Sequence, residues 1–341
     1  MGVKITELMP KSEVSLEQLS GKVIAIDAPN HLYQFLTTIM QRDGTPLLDS
    51  KGNVTSHLTG LFSRTIRLIS AGLKPVYVFD GVPPILKKQE REKRKAAKIE
   101  AERQYEAAAE AGDTESMKKY AARTTRLTPG MITEAKKLIA ALGLPIIQAP
   151  SEGEAQAAFL VKKGEAFCVA SQDADCLLFG AGRLVRNLGI TGRRKKPNQL
   201  VYKSVQPELI SLDETLKSLG INQAQLIALG MLVGTDYNPG GVFGIGQKKA
   251  LKLVKEFGEN LDGLFKSVDW GNGFETPWQE VYDLFEKMPV TGEYSLRWSP
   301  PNKEAIIKLL CGEHDFSVER IEKSIDSMPK GLGQKSLFEF R

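Results

Sequence analysis

The sequence has 341 residues, 42% hydrophobic and 26% charged, with 46 Lys and Arg against 41 Asp and Glu and a formal charge of +5. That composition can bury a sizeable core and excludes a disordered, collagenous or disulfide-stapled chain, while the mild basicity alone favours a polyanionic partner only weakly. Cys168, Cys176 and Cys311 are odd in number without a Cys-x-x-Cys, which points to a reducing compartment and away from a zinc knuckle. His31, His57 and His314 lie far apart in sequence, which argues against a histidine-built metal site or a Ser-His-Asp triad. The N-terminus MGVKITELMPK lacks the apolar segment of a secretory signal, and no apolar run is long enough to span a bilayer. Gly2 and Thr6 fit the loose myristoylation pattern.

In chain order, Lys22 to Ile26 is an apolar run that ends in Asp27, predicted as a buried parallel strand. A helix over about 30–41 follows, with Leu32, Phe35, Leu36 and Ile39 on one face. Asp43-Gly44 and Lys51-Gly52-Asn53 are turn signals; Ser56 to Ala71 is a second helix, ending at Gly72. Pro75 to Phe79 is a second apolar strand, with Asp80 directly after it. Taken alone, Asp80-Gly81 is a favoured tight-turn pair. A third strand, Phe167 to Ala170, ends three residues before Asp173. Open α/β sheets bind ligands at the carboxyl ends of their strands, so three strands of this type favour a site over three turns.

Pro83-Pro84 breaks the pattern. From Ile85 to about Arg126 the residues are charged helix formers, divided at Ala111-Gly112-Asp113. Lys87, Lys88, Arg91, Lys93, Arg94, Lys95 and Lys98 stand at the start against Glu90 and Glu92. By itself this is a solvated helical hairpin braced by Glu–Lys pairs. Because it springs from Asp80, it reads instead as a basic arm over the acidic rim, suited to a phosphate-backbone substrate.

A helix from Pro129 to Leu142 and a strand at Ile146 to Gln148 lead into the most acidic part of the rim. Glu152/Glu154 and Asp173/Asp175 are two pairs spaced i, i+2, separated by one αβ unit that returns both to one edge. Ser151 and Glu154 fit an S-x-x-E capping box, which leaves Glu152 unexplained. An EF-hand reading fails because Leu178 stands where that loop needs glycine. Arg183 to Leu188 is a strand, 189–199 a basic loop, and two amphipathic helices between Leu216 and Val233 finish at Asp236 in a polar turn. The segment PGGVFGIGQKKALKLVKEFG is not a P-loop, since its glycine spacing is wrong and no Ser or Thr follows the lysine. Gly244 and Gly246 at a helix start offer backbone N–H groups to phosphate, and Lys248 and Lys249 add charge for backbone contact with DNA. Asn260 to Ser327 reads as a helical layer, and the segment from Pro329 as a linker.

The candidates are Asp27, Asp80, Glu152, Glu154, Asp173, Asp175 and Asp236, all hard oxygen donors, which select Mg²⁺ or Mn²⁺ over zinc. Seven exceed the need of one ion, whereas two ions about 4 Å apart would use them and clamp a phosphodiester.

The segments AIDAPNHLYQFL (25–36), VFDGVPPILK (78–87), APSEGEAQAA (149–158), SQDADCLLFG (171–180), LVGTDYN (232–238) and GIGQKKAL (244–251), in this order and spacing, resemble the structure-specific 5′ nucleases, and among them the archaeal/eukaryotic flap endonucleases. The resemblance spans nearly the whole chain. It implies a PIN-like α/β fold: a mixed, mainly parallel sheet flanked by helices, with a helical arch over about 84–128 and a helix-two-turns-helix element over about 226–258. It implies one nuclease domain over 1–328, monomeric, and a flexible tail over 329–341. The implied activity is cleavage of branched DNA at a 5′ flap, with 5′-3′ exonuclease activity, by a two-metal-ion mechanism in replication and repair. The seven carboxylates would hold two Mg²⁺, or Mn²⁺, directly or through water. Lys87 and Arg94 would grip the scissile phosphate, Tyr33 would stack on the terminal base, and Arg64 would contact an unpaired 3′ nucleotide. Backbone carbonyls around Gly241 to Ile245 would hold K⁺, and Gly2 would approach the site. Gln334, Leu337 and Phe340 resemble a sliding-clamp-binding peptide, with Arg341 where a second aromatic is usual. A chain ending at this peptide looks archaeal, hence cytoplasmic; a eukaryotic source would make it nuclear. The alternatives are a PIN-like ribonuclease and a non-catalytic junction- or clamp-binding module. The basic arch and clamp-like tail argue against the first, and seven DNA-repelling carboxylates against the second.

Overall fold

The protein is described from a computed structural model that covers residues 2–41, 44–124, 126–189, 193–195 and 202–329. Its main sheet has seven strands: β1 (Ser12–Glu13), β2 (Val23–Asp27), β3 (Lys74–Phe79), β4 (Ile146–Gln148), β5 (Cys168–Ala170), β6 (Arg183–Arg186) and, after a separate β7–β8 pair (Arg193–Lys195 and Tyr202–Ser204), β9 (Glu208–Ser211). Their order is β1-β9-β6-β5-β2-β3-β4. The five central and edge strands β4, β3, β2, β5 and β6 are parallel, and β9 and β1 add an antiparallel margin. The expected basic loop at 189–199 is thus strand at 193–195, paired antiparallel with β8; its flanks lie outside the described residues.

Alternation along the strands divides the interior in two. Ala25, Val76, Val78, Ile147 and Val169 face one core, while Ile24, Ile26, Tyr77, Phe79, Cys168 and Ala170 face the other. Helices α1 (Ala28–Thr38), α2 (Ser56–Ser70) and, after the arm, α5 (Pro129–Ala141) cover the second core; Leu32, Phe35, Leu58, Leu61, Leu138 and Ile139 are buried there. Ile39 falls just beyond α1 as its C-terminal cap. The arm is α3 (Lys88–Glu110) and α4 (Thr114–Thr124), entered by a short 3₁₀ turn at Ile85–Lys87. Its break is the expected one, with Gly112 at φ +67°. The first core is covered by α6 (Gly153–Lys162), α7 (Asp175–Leu178), α8 (Leu212–Leu219), α9 (Gln223–Val233) and α10 (Gln247–Phe257).

Two expectations fail here. Helix α9 is not amphipathic: Gln225 to Leu232 are buried on every side, because the helix lies inside the fold between α7, α10 and a later helix at Trp278–Lys287. Ser151 and Glu154 form no capping box. Glu152 holds the N-cap of α6 without a side-chain bond, and the Ser151 hydroxyl donates to the Val82 carbonyl at 2.9 Å, stitching the loop after β3 to the loop after β4. Among the described residues no single helix is long and apolar enough to cross a membrane.

Sequence distance also hid a histidine pair. His57 Nε2 lies 3.1 Å from Glu134 Oε2 on α5, His314 Nε2 lies 3.6 Å from Glu134 Oε1, and His314 Nδ1 lies 3.0 Å from Asp49 Oδ2. Burial, helped by His314, pushes His57 down to about 4 from its ordinary 6.5. The folded state therefore favours neutral His57; this stabilisation is complete above about pH 6.5 and is lost as the pH falls from there towards 4. The shift bounds the effect at about 3 kcal/mol. His57→Gln should accordingly flatten the fall in unfolding temperature between pH 6.5 and 4; parallel curves for the two proteins would dismiss this source of acid sensitivity.

Candidate active site

Because β2, β3, β4 and β5 are parallel, their carboxyl ends share one edge, and six of the seven acidic residues arrive there from the ends of these four strands. Asp27 closes β2, Asp80 follows β3, Glu152 and Glu154 follow β4, Asp173 and Asp175 follow β5, and Asp236 comes from the loop after α9. All seven line one cavity of about 760 Å³, together with Tyr33, Lys87 and Arg94.

Local bonding fixes the floor. Asp27 caps α1, its Oδ1 accepting from Asn30 N–H at 3.1 Å and its Oδ2 from the Ser171 hydroxyl at 3.2 Å. Asn30 then donates through Nδ2 to Asp173 Oδ2 at 2.9 Å and accepts from Gln172 N–H at 3.2 Å, so one amide joins the ends of β2 and β5. Asp80 Oδ1 accepts from Gly153 N–H at 2.8 Å. Asp175 Oδ1 accepts from Val3 N–H at 2.6 Å. The N-terminus reaches the floor, as expected: a Cβ on Gly2 would stand 2.5 Å from Asp173 Cβ, so only glycine fits without a shift. Gly81 is equally constrained, since a Cβ there would meet the Ala149 carbonyl at 2.2 Å. Asn30 and Ser171 are site residues that the sequence reading passed over; a polar residue in the first turn of an otherwise apolar-faced helix was the available signal for Asn30.

So many carboxylates in one buried volume resist ionisation. Burial, then Asp80 and Asp173, push Asp27 up to about 8, and burial, Asp173 and Asp236 push Asp175 up to about 7 despite the Val3 N–H. Burial and the charges of Asp175, Asp27 and Asp173 raise Glu154 well above the ordinary range. Burial also raises Glu152, although Lys87 opposes it. Two cations from the arm offset this charge. Lys87 Nζ lies 2.6 Å from Glu152 Oε2 and 3.2 Å from Asp236 Oδ2; Arg94 spans from Glu90 at 2.7 Å to Asp236 Oδ1 at 2.6 Å. Burial works against the charge of Lys87, yet Glu152 and Asp236 hold it protonated above the usual lysine range.

The donor set is oxygen-only and its charge is incompletely offset, and Glu152 Oε1 is buried without a hydrogen-bond partner. These residues fit hard divalent cations. Among the described residues, no three such side chains already close on a metal-sized point. Lys87 and Arg94, on Glu152 and Asp236, offset part of the charge of this donor set.

Other candidates lie elsewhere. Arg64 sits half-buried on α2, away from this cavity, with its Nε buried and unbonded. Gly244 (φ +73°) and Gly246, the N-cap of α10, are exposed, and a Cβ at either would meet nothing within 4 Å. Lys248 and Lys249 are exposed on the first turn of α10. The open N-terminus and the lysines therefore share one surface. Gln334, Leu337 and Phe340 lie outside the described residues.

Residues 1–101 match the XPG N-terminal domain and residues 143–236 the XPG I-region. The chain is 53% identical to flap endonuclease 1 of Thermococcus onnurineus over 341 residues, covering 99% of this chain and 98% of that protein. The solved flap endonuclease-1 from Methanococcus jannaschii is 43% identical with a TM-score of 0.75, covering 96% of this chain and 98% of that one. The catalytic core of Rad2 in complex with DNA substrate is similar at 25% identity and a TM-score of 0.66, over 94% of this chain and 96% of that one. Identity above one half along essentially the full length, together with the acidic edge under a basic arm, places the chain in the flap endonuclease family.

Proposed function

We propose that the chain is a metal-dependent, structure-specific 5′ flap endonuclease whose seven clustered carboxylates hold two Mg²⁺, with Mn²⁺ able to substitute. The observation that carries this reading is that all seven line one cavity which the arm also enters with Lys87 and Arg94. Bound there, the ions supply Lewis acidity toward water and the scissile phosphodiester. Lys87 and Arg94 bind the scissile phosphate and neutralise charge that develops on it. Tyr33, 37% exposed on α1, offers a ring face to a terminal base. The Rad2 core's bound DNA and the family membership support DNA as the partner. Lys248, Lys249 and the N–H groups from Gly244 to Gly246 would hold duplex phosphates, with K⁺ on nearby carbonyls, and Arg64 would meet a 3′ nucleotide. The catalytic unit is 1–328, acting as a monomer, with the 329–341 tail binding a sliding clamp through Gln334, Leu337 and Phe340.

Incubation of a 5′-flap DNA duplex with Mg²⁺, with EDTA, and beside an all-RNA analogue tests the reading. Cleavage of the DNA flap in Mg²⁺ alone is expected. Equal cleavage in EDTA would remove the metal assignment, and preference for RNA would favour the ribonuclease alternative.

A further inference from the structure

Tyr120 is an aromatic that the carboxylate floor does not account for. It stands half-buried on α4 and lines the same cavity as Tyr33, Arg94 and the seven carboxylates. The wall around it differs from the floor. Along α3, Arg94, Ala97, Ala101 and Gln104 line the cavity at spacings of three or four residues, which puts them on one helical face. Outward along that face the chemistry changes from guanidinium to methyl to amide. At 1.5 Å per residue, Ala101 lies about 10 Å beyond Arg94. Leu127 lines the same cavity, and Glu100 adds a negative charge. Beside the cations of Arg94 and Lys98, which suit phosphates, the Ala97 and Ala101 methyls suit the flat face of a base.

The two tyrosines of the cavity are equipped alike. Lys98 Nζ lies 5.4 Å from the centroid of the Tyr33 ring, and Lys119 Nζ lies 5.3 Å from that of Tyr120. Each ring is therefore paired with a cation within reach of a neighbouring phosphate, the combination by which single strands are held without sequence preference.

We propose that Tyr120 is a second stacking platform, on which a base of the single-stranded 5′ flap rests against the part of the cavity lined by Ala97, Ala101 and Gln104. Lys119 and Lys98 take the adjoining phosphates. The inference rests on the flap-nuclease reading and deepens it, assigning part of the arm to the bases of the flap. Tyr120 is a positioning residue, since it acts on the bases of the flap and not on the reacting phosphate.

Steady-state kinetics in Mg²⁺ test this with the unaltered protein and with Tyr120→Ala, Tyr120→Leu and Tyr120→Phe. Two substrates are compared, a normal 5′ flap and one with abasic nucleotides in place of the flap bases nearest the junction. On the normal flap, Ala and Leu should each lower kcat/KM about tenfold or more, and Phe should restore it. On the abasic flap all four proteins should be equally slow. Leu keeps most of the bulk, so a loss with Ala that Leu repairs would assign Tyr120 to packing of the arm and overturn the proposal. Losses from Ala and from abasic substitution that multiply would overturn it too, as would a Tyr120→Ala protein as fast as the unaltered one on the normal flap. In those cases the flap-nuclease reading stands. No flap cleavage by the unaltered protein would overturn that reading, and this one with it.

Discussion

Asp175→Asn is expected to lower kcat for flap cleavage by about 10³-fold or more and, in the same protein without metal, to raise the unfolding temperature. The two effects share one cause. Asp175 is 7% exposed, and burial, Asp173 and Asp236 raise it to about 7 from an ordinary 3.8. A carboxyl raised in the fold gives stability that is complete below its unfolded value and is lost as the pH rises through the folded one. Metal-free protein at pH 8 therefore carries an ionised Asp175 at a cost, and a permanently neutral side chain removes that cost. Asparagine keeps an oxygen to accept the Val3 N–H bond now 2.6 Å long, so the N-terminal contact survives. The gain should reach a few kcal/mol at most, or several degrees for a chain of this size. Calorimetry in EDTA at pH 8 beside a flap assay in Mg²⁺ checks both. A variant that cleaves within tenfold of the unaltered protein, or that unfolds earlier in EDTA, would show that this carboxylate is not held in a strained, cation-dependent site.

The same tension explains which parts of the site were legible in the sequence. Asp27, Asp80 and the two acidic pairs follow short apolar runs, and a parallel sheet carries all such ends to one edge, so chain order alone predicts their meeting. Asp236 follows an apolar helix rather than a strand, so its polar turn marked it as a candidate, but no strand end carries it to the edge. Lys87 was legible as a member of a basic arm, but its bridging of Glu152 and Asp236 depends on how the arm closes, which no local pattern encodes. Asn30 was missed because its role is to join two strand ends 143 residues apart in sequence. The capping box failed for a related reason. Ser151 could cap α6 locally, but its hydroxyl instead meets Val82 from the loop after β3, a partner that only the sheet brings near. Helix α9 was misread rather than hidden: its residues from Leu226 to Leu232 carry no polar face, as an enclosed helix requires, and α7, α10 and the Trp278–Lys287 helix pack on it.

Lys87→Ala should move activity in the same direction as Asp175→Asn and stability in the opposite one. Its ammonium lies between Glu152 Oε2 and Asp236 Oδ2, at 2.6 and 3.2 Å, and is largely buried. Removing one partner of a buried ion pair leaves the other charges unbalanced, at a cost of about 3–5 kcal/mol before relaxation. In EDTA the variant should therefore unfold earlier than the unaltered protein. Added Mg²⁺ replaces part of the missing charge, so the rise in unfolding temperature on titration with Mg²⁺ should be larger in the variant, since a ligand stabilises the fold according to its affinity for it. In the flap assay kcat should fall about 10²- to 10³-fold, because a fixed cation at the reacting phosphate is lost. Lys87→Arg keeps the charge but replaces a compact ammonium by a planar fork, so it should recover the stability in EDTA more fully than the rate. Equal unfolding temperatures for Lys87→Ala and the unaltered protein in EDTA would mean that the carboxylate floor does not depend on this lysine. Opposite signs for Lys87→Ala and Asp175→Asn would place both side chains in one electrostatic balance, the lysine supplying charge that the acidic floor needs and the aspartate adding charge that must be offset.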